Sequence, residues 1–310
     1  MNAISKIAGM LRLNRKALLL VLIDKLSFLF SDETYLRIQF KLRMGYPLNL
    51  DNPVTFSEKL QWLKLNDRNP LYTKLVDKYD VKTFVITTIG AQYIIPTIGV
   101  WDTVDSIQWE SLPQQFVLKT TQGGGSYGVI VCKDKSSLDK SLAIKRLNKA
   151  LKQDIYKTFR EWPYKNVRGR IIAEEYMEQE DGSALIDYKF FCFNGEPQFL
   201  YVRWEDSTDR KEHINFITLD WEPTHFYRPD CRPSIYLPHK PTKFEDMKEL
   251  TRKLSKGIPF VRVDLYEINS KVYFSELTFY PSSGLLPFEP GEWDRKIGDM
   301  LILPQKREKQ

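Results

Sequence analysis

The stretch RVDLYEINSKVYFSELTFYPSSG, residues 262–284, constrains this chain more than any other. It reads as two apolar strands joined by a short turn, with two carboxylates, Asp264 and Glu276, set inside the strand pattern. A two-residue turn at Asn269 and Ser270 would leave those acids on opposite faces of the ribbon. An odd loop centred on Ser270 instead sets Asp264 opposite Glu276 and Arg262 opposite Thr278, while Val261, Val263, Leu265, Leu277 and Phe279 share the other face. Because the second register separates polar from apolar, it is the expectation here. Two like charges directly opposed need a cation between them. Mg²⁺, which binds through one or two carboxylates together with phosphates, would supply it. The alternative is an ion pair of Asp264 with Arg262 or a nearby lysine, and the hairpin alone leaves the two readings even.

The rest of the composition bounds the classes open to such a chain. With 310 residues, 42% hydrophobic and 13% aromatic, it can bury a substantial core and is not disordered. Its formal charge of +6 is spread along the chain, which does not favour nucleic acid; anionic small molecules, anionic glycans and acidic membrane surfaces suit it equally. Cys132, Cys192 and Cys231 have no CxxC spacing and no His in metal-ligand register, which fits a reducing compartment. Near the N-terminus the apolar run Ala17–Ile23 is closed by Asp24 and Lys25, too short to cross a bilayer core of about 30 Å. Either it is a helix packed on the core, the favoured reading, or a basic, apolar helix resting on the inner membrane surface.

Along the chain, residues 1–50 read as an N-terminal helical segment, with Ser31 capping a helix that ends at Gly45. Thr55 and Glu58 are spaced as a capping box for the next helix. A helix is expected over 74–87, then a strand at FVLKTT, a charged helix over 136–155, strands from Arg170 to Phe216, a Pro-rich loop over 223–241 and a helix over 244–256. The expected division is 1–50, 51–110, 111–180 and 181–310, and the class is α+β.

FVLKTTQGGGSYGVIV places Lys119 at the end of an apolar strand, followed by Gly123, Gly124, Gly125, Ser126 and Gly128 before a second strand. Glycines let backbone N–H groups approach phosphate oxygens, and a lysine on the adjoining strand adds charge. This is neither a Walker A loop nor a dinucleotide fingerprint, and alone it fits an ordinary Gly-rich hairpin better. Glu174 and Glu175 end the strand of RIIAEEYM, and Asp187, Lys189 and Arg203 lie inside a later strand pair. Lys78 opens a helical stretch in LVDKYDVKTFV, where a surface charge is the plain alternative.

In this order, DK, FVLK with its Gly-rich loop, EEY, DYKF with FNGE, RVDLY and ELTFYPSSG, the motifs resemble the ATP-grasp superfamily. The closer resemblance is to the TupA-like ATP-grasp family of bacterial surface-polysaccharide and teichuronopeptide biosynthesis, from about Asn52 to Leu303. The resemblance implies an ATP-grasp fold, two α+β subdomains gripping ATP. Lys78 and Lys119 would reach the phosphates under the loop from Gln122 to Gly128. Glu174 and Glu175, with the backbone after them, would hold adenine, Asp187 would lie near ribose or the second substrate, and Asp264 and Glu276 would ligate Mg²⁺. Arg262 would stabilise the transferred phosphoryl group, and Lys189 and Arg203 would contact phosphate or a substrate carboxylate. Many ATP-grasp enzymes have Asn where this chain has Thr278, which puts a full second metal site in doubt.

The implied activity is carboxylate–amine ligation through an acyl phosphate. The acceptor would be a uronic-acid carboxylate of a capsular, O-antigen or teichuronic-type glycan and the amine an amino acid or amino sugar, in the cytoplasm or at the inner membrane face. A glycan phosphotransferase, a glycosyltransferase and a non-catalytic nucleotide-binding scaffold stay open. No DxD motif supports the glycosyltransferase, and His213, His225 and His239 sit without a Ser or Cys elbow.

Overall fold

A computed structural model describes residues 15–124, 128–205, 211–231 and 233–305. Helix α1 covers residues 15–25, and α2 (Asp32–Met44) follows. Ser31 caps α2 by accepting from the Thr34 N–H, and Gly45 closes it at φ 87°, a left-handed stop that glycine takes without strain. Helix α3 (Phe56–Asn66) starts at the expected capping box: Thr55 accepts from the Glu58 N–H, and the Glu58 carboxylate accepts from the N–H groups of Val54 and Thr55.

The single helix expected over 74–87 is broken. Helix α4 (Leu71–Val76) ends before Asp77, and α5 (Val81–Thr88) begins after Asp80. The Asp77 carboxylate accepts from the N–H groups of Tyr79 and Asp80, the local competition by which Asp side chains turn a chain out of helix. Lys78 therefore sits in the break, where its N–H donates to Thr121 O at 3.0 Å. It is not on the flank of an amphipathic helix.

Two antiparallel sheets follow. The first has the order β1 (Thr97–Trp101), β4 (Ile171–Glu175), β2 (Phe116–Thr120), β3 (Ile130–Cys132), and α6 (Lys140–Leu151) and the short α7 (Ile155–Phe159) lie between β3 and β4 in the chain. The second sheet runs β7 (Glu212–Thr218), β6 (Glu196–Glu205), β5 (Asp187–Phe193), β8 (Phe260–Ile268), β9 (Lys271–Thr278), with α8 (Phe244–Ser255) between β7 and β8 and α9 (Glu292–Met300) after β9. The second sheet carries the main core, where Phe56 of α3 meets Phe260 edge-on at 4.9 Å and Phe244 of α8 lies 5.9 Å from Phe190. α3 also packs closely on α9, since a side chain at Gly298 would come within 2.3 Å of Val54 O. A smaller core under the first sheet gathers Phe116, Leu118, Leu147 and Ile171. An isolated bridge from Ile94 to Phe274 brings the entry of the first sheet to the edge of the second.

The β8–β9 turn overturns one expectation and keeps the pairing that rested on it. Asn269 and Ser270 form a two-residue turn with φ of 51° and 60°, and Ile268 pairs with Lys271. That register alone would separate the acids. A bulge between the Asp264/Glu276 and Leu265/Phe274 pairs leaves Ser275 as an extra residue on β9, and beyond it Asp264 pairs with Glu276, Val263 with Leu277 and Arg262 with Thr278. The extra residue lies in the strand and not in the turn.

Ser270 holds a positive φ that costs an L-residue and not glycine. The substitution Ser270→Gly is expected to stabilise the fold by about 0.5–1 kcal/mol in urea denaturation. A destabilised variant would show that the serine side chain supports the turn.

Candidate active site

Between the two sheets lies a cleft of about 320 Å³, a size suited to a small ligand. Its apolar walls are Ile95, Val117, Val131, Met177, Leu185 and Tyr266, and charged groups from both sheets reach into it. Val117 and Lys119 alternate with buried Leu118 on β2, so period-two spacing turns both toward the cleft while Leu118 enters the core.

Lys78, Lys119, Glu174, Glu175, Asp187, Lys189, Arg203 and Glu276 all line this cleft, as expected for one site. Asp264, Arg262 and Thr278 form its floor beside Glu276 rather than its wall. Asp264 has no exposed surface. Its Oδ1 accepts from Arg262 Nε at 2.7 Å, and its Oδ2 accepts from Arg262 Nη2 and Lys189 Nζ, both at 2.7 Å. Strand register dictates these contacts, because Lys189 lies opposite Asp264 on β5 and Arg262 is two residues away on the same face of β8. The ion-pair reading of the hairpin is thus the one observed, with Asp264 held by both Arg262 and Lys189, and the acids are also paired across the ribbon. Burial alone would lower Lys189 and Arg262, but the Asp264 carboxylate outweighs it and keeps both firmly protonated.

Arg262 also donates to Thr278 Oγ1 at 2.9 Å, Glu276 Oε1 at 3.2 Å and the Tyr201 hydroxyl at 3.3 Å. Glu276 keeps 27% of its side chain exposed, with Oε2 3.7 Å from Lys78 Nζ. Burial works to raise its carboxyl, yet Lys78, Lys189 and Arg262 hold it down at about 2. Burial likewise lowers the Lys78 ammonium, opposed by Glu276, and Lys78 Nζ donates to Gly123 O at the start of the Gly-rich segment.

Glu174 lines the cleft and also has a role that was not expected. Its carboxylate is buried and spans two lysines, with Oε2 2.5 Å from Lys119 Nζ and Oε1 2.7 Å from Lys82 Nζ. It holds the two lysines in position. Burial would raise it, but Lys119 and Lys82 together lower it. Lys82, which sequence reasoning missed, also donates to Ile95 O and Thr97 Oγ1, tying α5 to β1. Glu175 is exposed at the cleft margin and Tyr176 and Met177 follow it into the lining.

At the far end Asp187 Oδ2 lies 3.5 Å from Lys189 Nζ and 3.9 Å from Arg203 Nη1, while its buried Oδ1 has no hydrogen-bond partner. Arg203 is anchored by Glu212 at 2.5 Å. Gly128 is demanded twice, by a φ of 81° and by Ala150 Cβ, which a side chain there would approach to 2.4 Å. The expectations for Gly125 and Ser126 lie outside the described residues, whereas Gly123 and Gly124 follow β2 after a turn at Thr121 and Gln122.

The depressed Glu276 carboxyl has a pH consequence. A folded value of about 2 against an ordinary 4.5 means a contribution to stability that is complete above pH 4.5 and is lost as pH falls toward 2. The stability difference between the wild type and Glu276→Gln is expected to reach about 1–3 kcal/mol at neutral pH and to shrink steadily through the acid range, followed by urea denaturation. A difference independent of pH would remove the ion-pair account of this residue.

Solved structures similar to this chain include D-alanine–D-alanine ligase from Helicobacter pylori, at 16% identity over 74% of this chain and 61% of that one, TM-score 0.43. Others are the D-cycloserine synthetase DcsG (17%; 68% and 64%; TM-score 0.38) and the ATP-grasp ligase PsnB bound to a minimal precursor, Mg and ADP (10%; 72% and 57%; TM-score 0.38). The chain thus spans roughly three fifths of the length of these structures. No protein of curated function matches it. A model of the TupA-like ATP-grasp family matches residues 58–302, most of the α+β chain, and the chain belongs to that family.

Proposed function

We propose that this protein is an ATP- and Mg²⁺-dependent carboxylate–amine ligase that works through an acyl phosphate. The observation that carries the reading is the convergence of Lys78 from the α4–α5 break, Lys119 from the first sheet and Lys189 from the second on one cleft beside the Asp264–Glu276 pair. Three ammonium groups around two carboxylates suit a polyphosphate with a hard cation. A flat purine suits the aliphatic walls, and the unpartnered Asp187 Oδ1 suits a ribose hydroxyl.

The donor set fits Mg²⁺ in kind. Among the described residues no three His, Cys, Asp or Glu groups gather into a protein-only cage, and this ion typically takes few carboxylates and completes its shell with phosphate and water. Glu276, partly open, would hold it; Asp264 would join by giving up one of its bonds to Arg262 or Lys189. When bound, the ion would offset charge on the phosphoryl oxygens being transferred.

A carboxylate is a poor acyl donor because its leaving group would be an oxide. Phosphorylation by ATP provides a phosphate leaving group, and an incoming amine then forms the amide. Lys119, held by Glu174, and Lys78, held by Gly123 O, would position the phosphates, and Arg262 would stabilise charge developing on the transferred group. No side-chain nucleophile is required. Family membership supports a uronic-acid carboxylate of a bacterial surface polysaccharide as acceptor and an amino acid or other amine as donor.

The experiment is incubation with Mg-ATP, a uronic-acid glycan and pooled amino acids, followed by mass spectrometry of nucleotide and glycan. ADP, phosphate and a new amide are expected. A phosphorylated glycan without amide would replace the ligase by a phosphotransferase. Turnover in Lys119→Met is expected to fall by about 10²–10³-fold in a protein that still unfolds cooperatively, at a melting temperature lowered because Glu174 loses one of its two lysines. Full activity in that variant would sink the phosphate assignment.

A further inference from the structure

Helix α1 and the turn after it turn outward the side that a soluble helix ordinarily buries. The core-packing role expected for it falls mainly to Ile23, while Ser27 is buried beside it. Asp24 faces the body of the protein, where its Oδ1 accepts from the Tyr35 hydroxyl and from Gln39 Nε2, both at 2.6 Å. Leu18 (71% exposed), Val21, Leu22, Leu26, Phe28 (72%) and Leu29 are directed to solvent instead. Leu18, Val21 and Leu22 are neighbours at i, i+3 and i+4 on α1, and Leu26, Phe28 and Leu29 continue the exposed apolar surface through the turn that follows.

Charge selects what covers it. Arg15, Lys16 and Lys25 are exposed along the patch, and the one acid between residues 15 and 30 is the inward-facing Asp24. A symmetric dimer through this face would set each basic residue against its own copy or close to it, which is repulsive. No described helix is long and apolar enough to cross a membrane. Apolar side chains rimmed by lysine and arginine instead match a bilayer surface of anionic lipid, with the leucines and Phe28 below the headgroups and the cations among the phosphates.

We propose that α1 and Phe28–Leu29 form an anionic-lipid docking surface that holds the enzyme on a membrane. This surface is independent of the chemistry in the cleft. The test uses the full chain in co-sedimentation with vesicles of phosphatidylglycerol and phosphatidylethanolamine, and with vesicles of phosphatidylcholine alone. Binding is expected to be at least about tenfold weaker on the neutral vesicles and to weaken with salt. The combined variant Leu18→Glu, Leu22→Glu, Phe28→Ser should lose binding while keeping its melting temperature, since these side chains support no core. Arg15→Glu with Lys16→Glu should lose only the preference for anionic lipid. Absence of vesicle binding, equal binding by the apolar variant, or a concentration-dependent dimer that the same variant abolishes in the absence of any vesicle binding would overturn the proposal.

Discussion

A carboxylate without solvent, Asp264, fixes the geometry on which the rest of the cleft depends. Its two oxygens accept three short hydrogen bonds from Arg262 and Lys189. Removing water from an ionised group costs several kcal/mol, so the arrangement holds only while both partners remain. β5, β8 and β9 supply these groups through strand register, and the Arg262 guanidinium extends the network to Thr278, Glu276 and Tyr201. The floor of the cleft is thereby rigid, with Glu276 and Lys78 at its open edge.

The first sheet repeats the device, again with one acid between two basic residues. There one buried carboxylate, Glu174, binds two lysines from different elements, Lys119 on β2 and Lys82 on α5. In each sheet a buried acid fixes basic side chains, of which Lys119 and Lys189 line the cleft. Long lysine side chains lose much rotamer freedom when they bind a phosphate; here part of that loss is already met by folding. The break at Asp77–Asp80 serves the same end, since an uninterrupted helix would carry Lys78 away from Gly123.

Much of this was legible in the chain. The caps at Ser31 and Thr55, the strands bearing Lys119, Glu174 and Lys189, and the opposition of Asp264 to Glu276 all follow from local spacing. The turn at Asn269 and Ser270 did not, because polar–apolar segregation reports the register at the acids and says nothing of where an extra residue is inserted. The lysine partners of Glu174 were hidden for a related reason. Two adjacent acids at a strand end point to opposite faces, and which one is buried depends on lysines far away in sequence. The exposure of α1 was also hidden, since a run of leucines looks the same whether a core or a lipid surface receives it.

The bulge at Ser275 makes β9 a strand that counts. Upstream and downstream of that residue the ladder obeys two different registers, and only their offset brings Glu276 to the side of Asp264. Most strands accept changes of side chain more readily than changes of length at their ends. Here the sensitive quantity is which residue stands outside the ladder. Were Ser275 to pair with Asp264, every side chain would stay chemically intact but Glu276 would fall opposite Val263 and turn toward the core, so the site is encoded as much by the placing of the bulge as by residue identity.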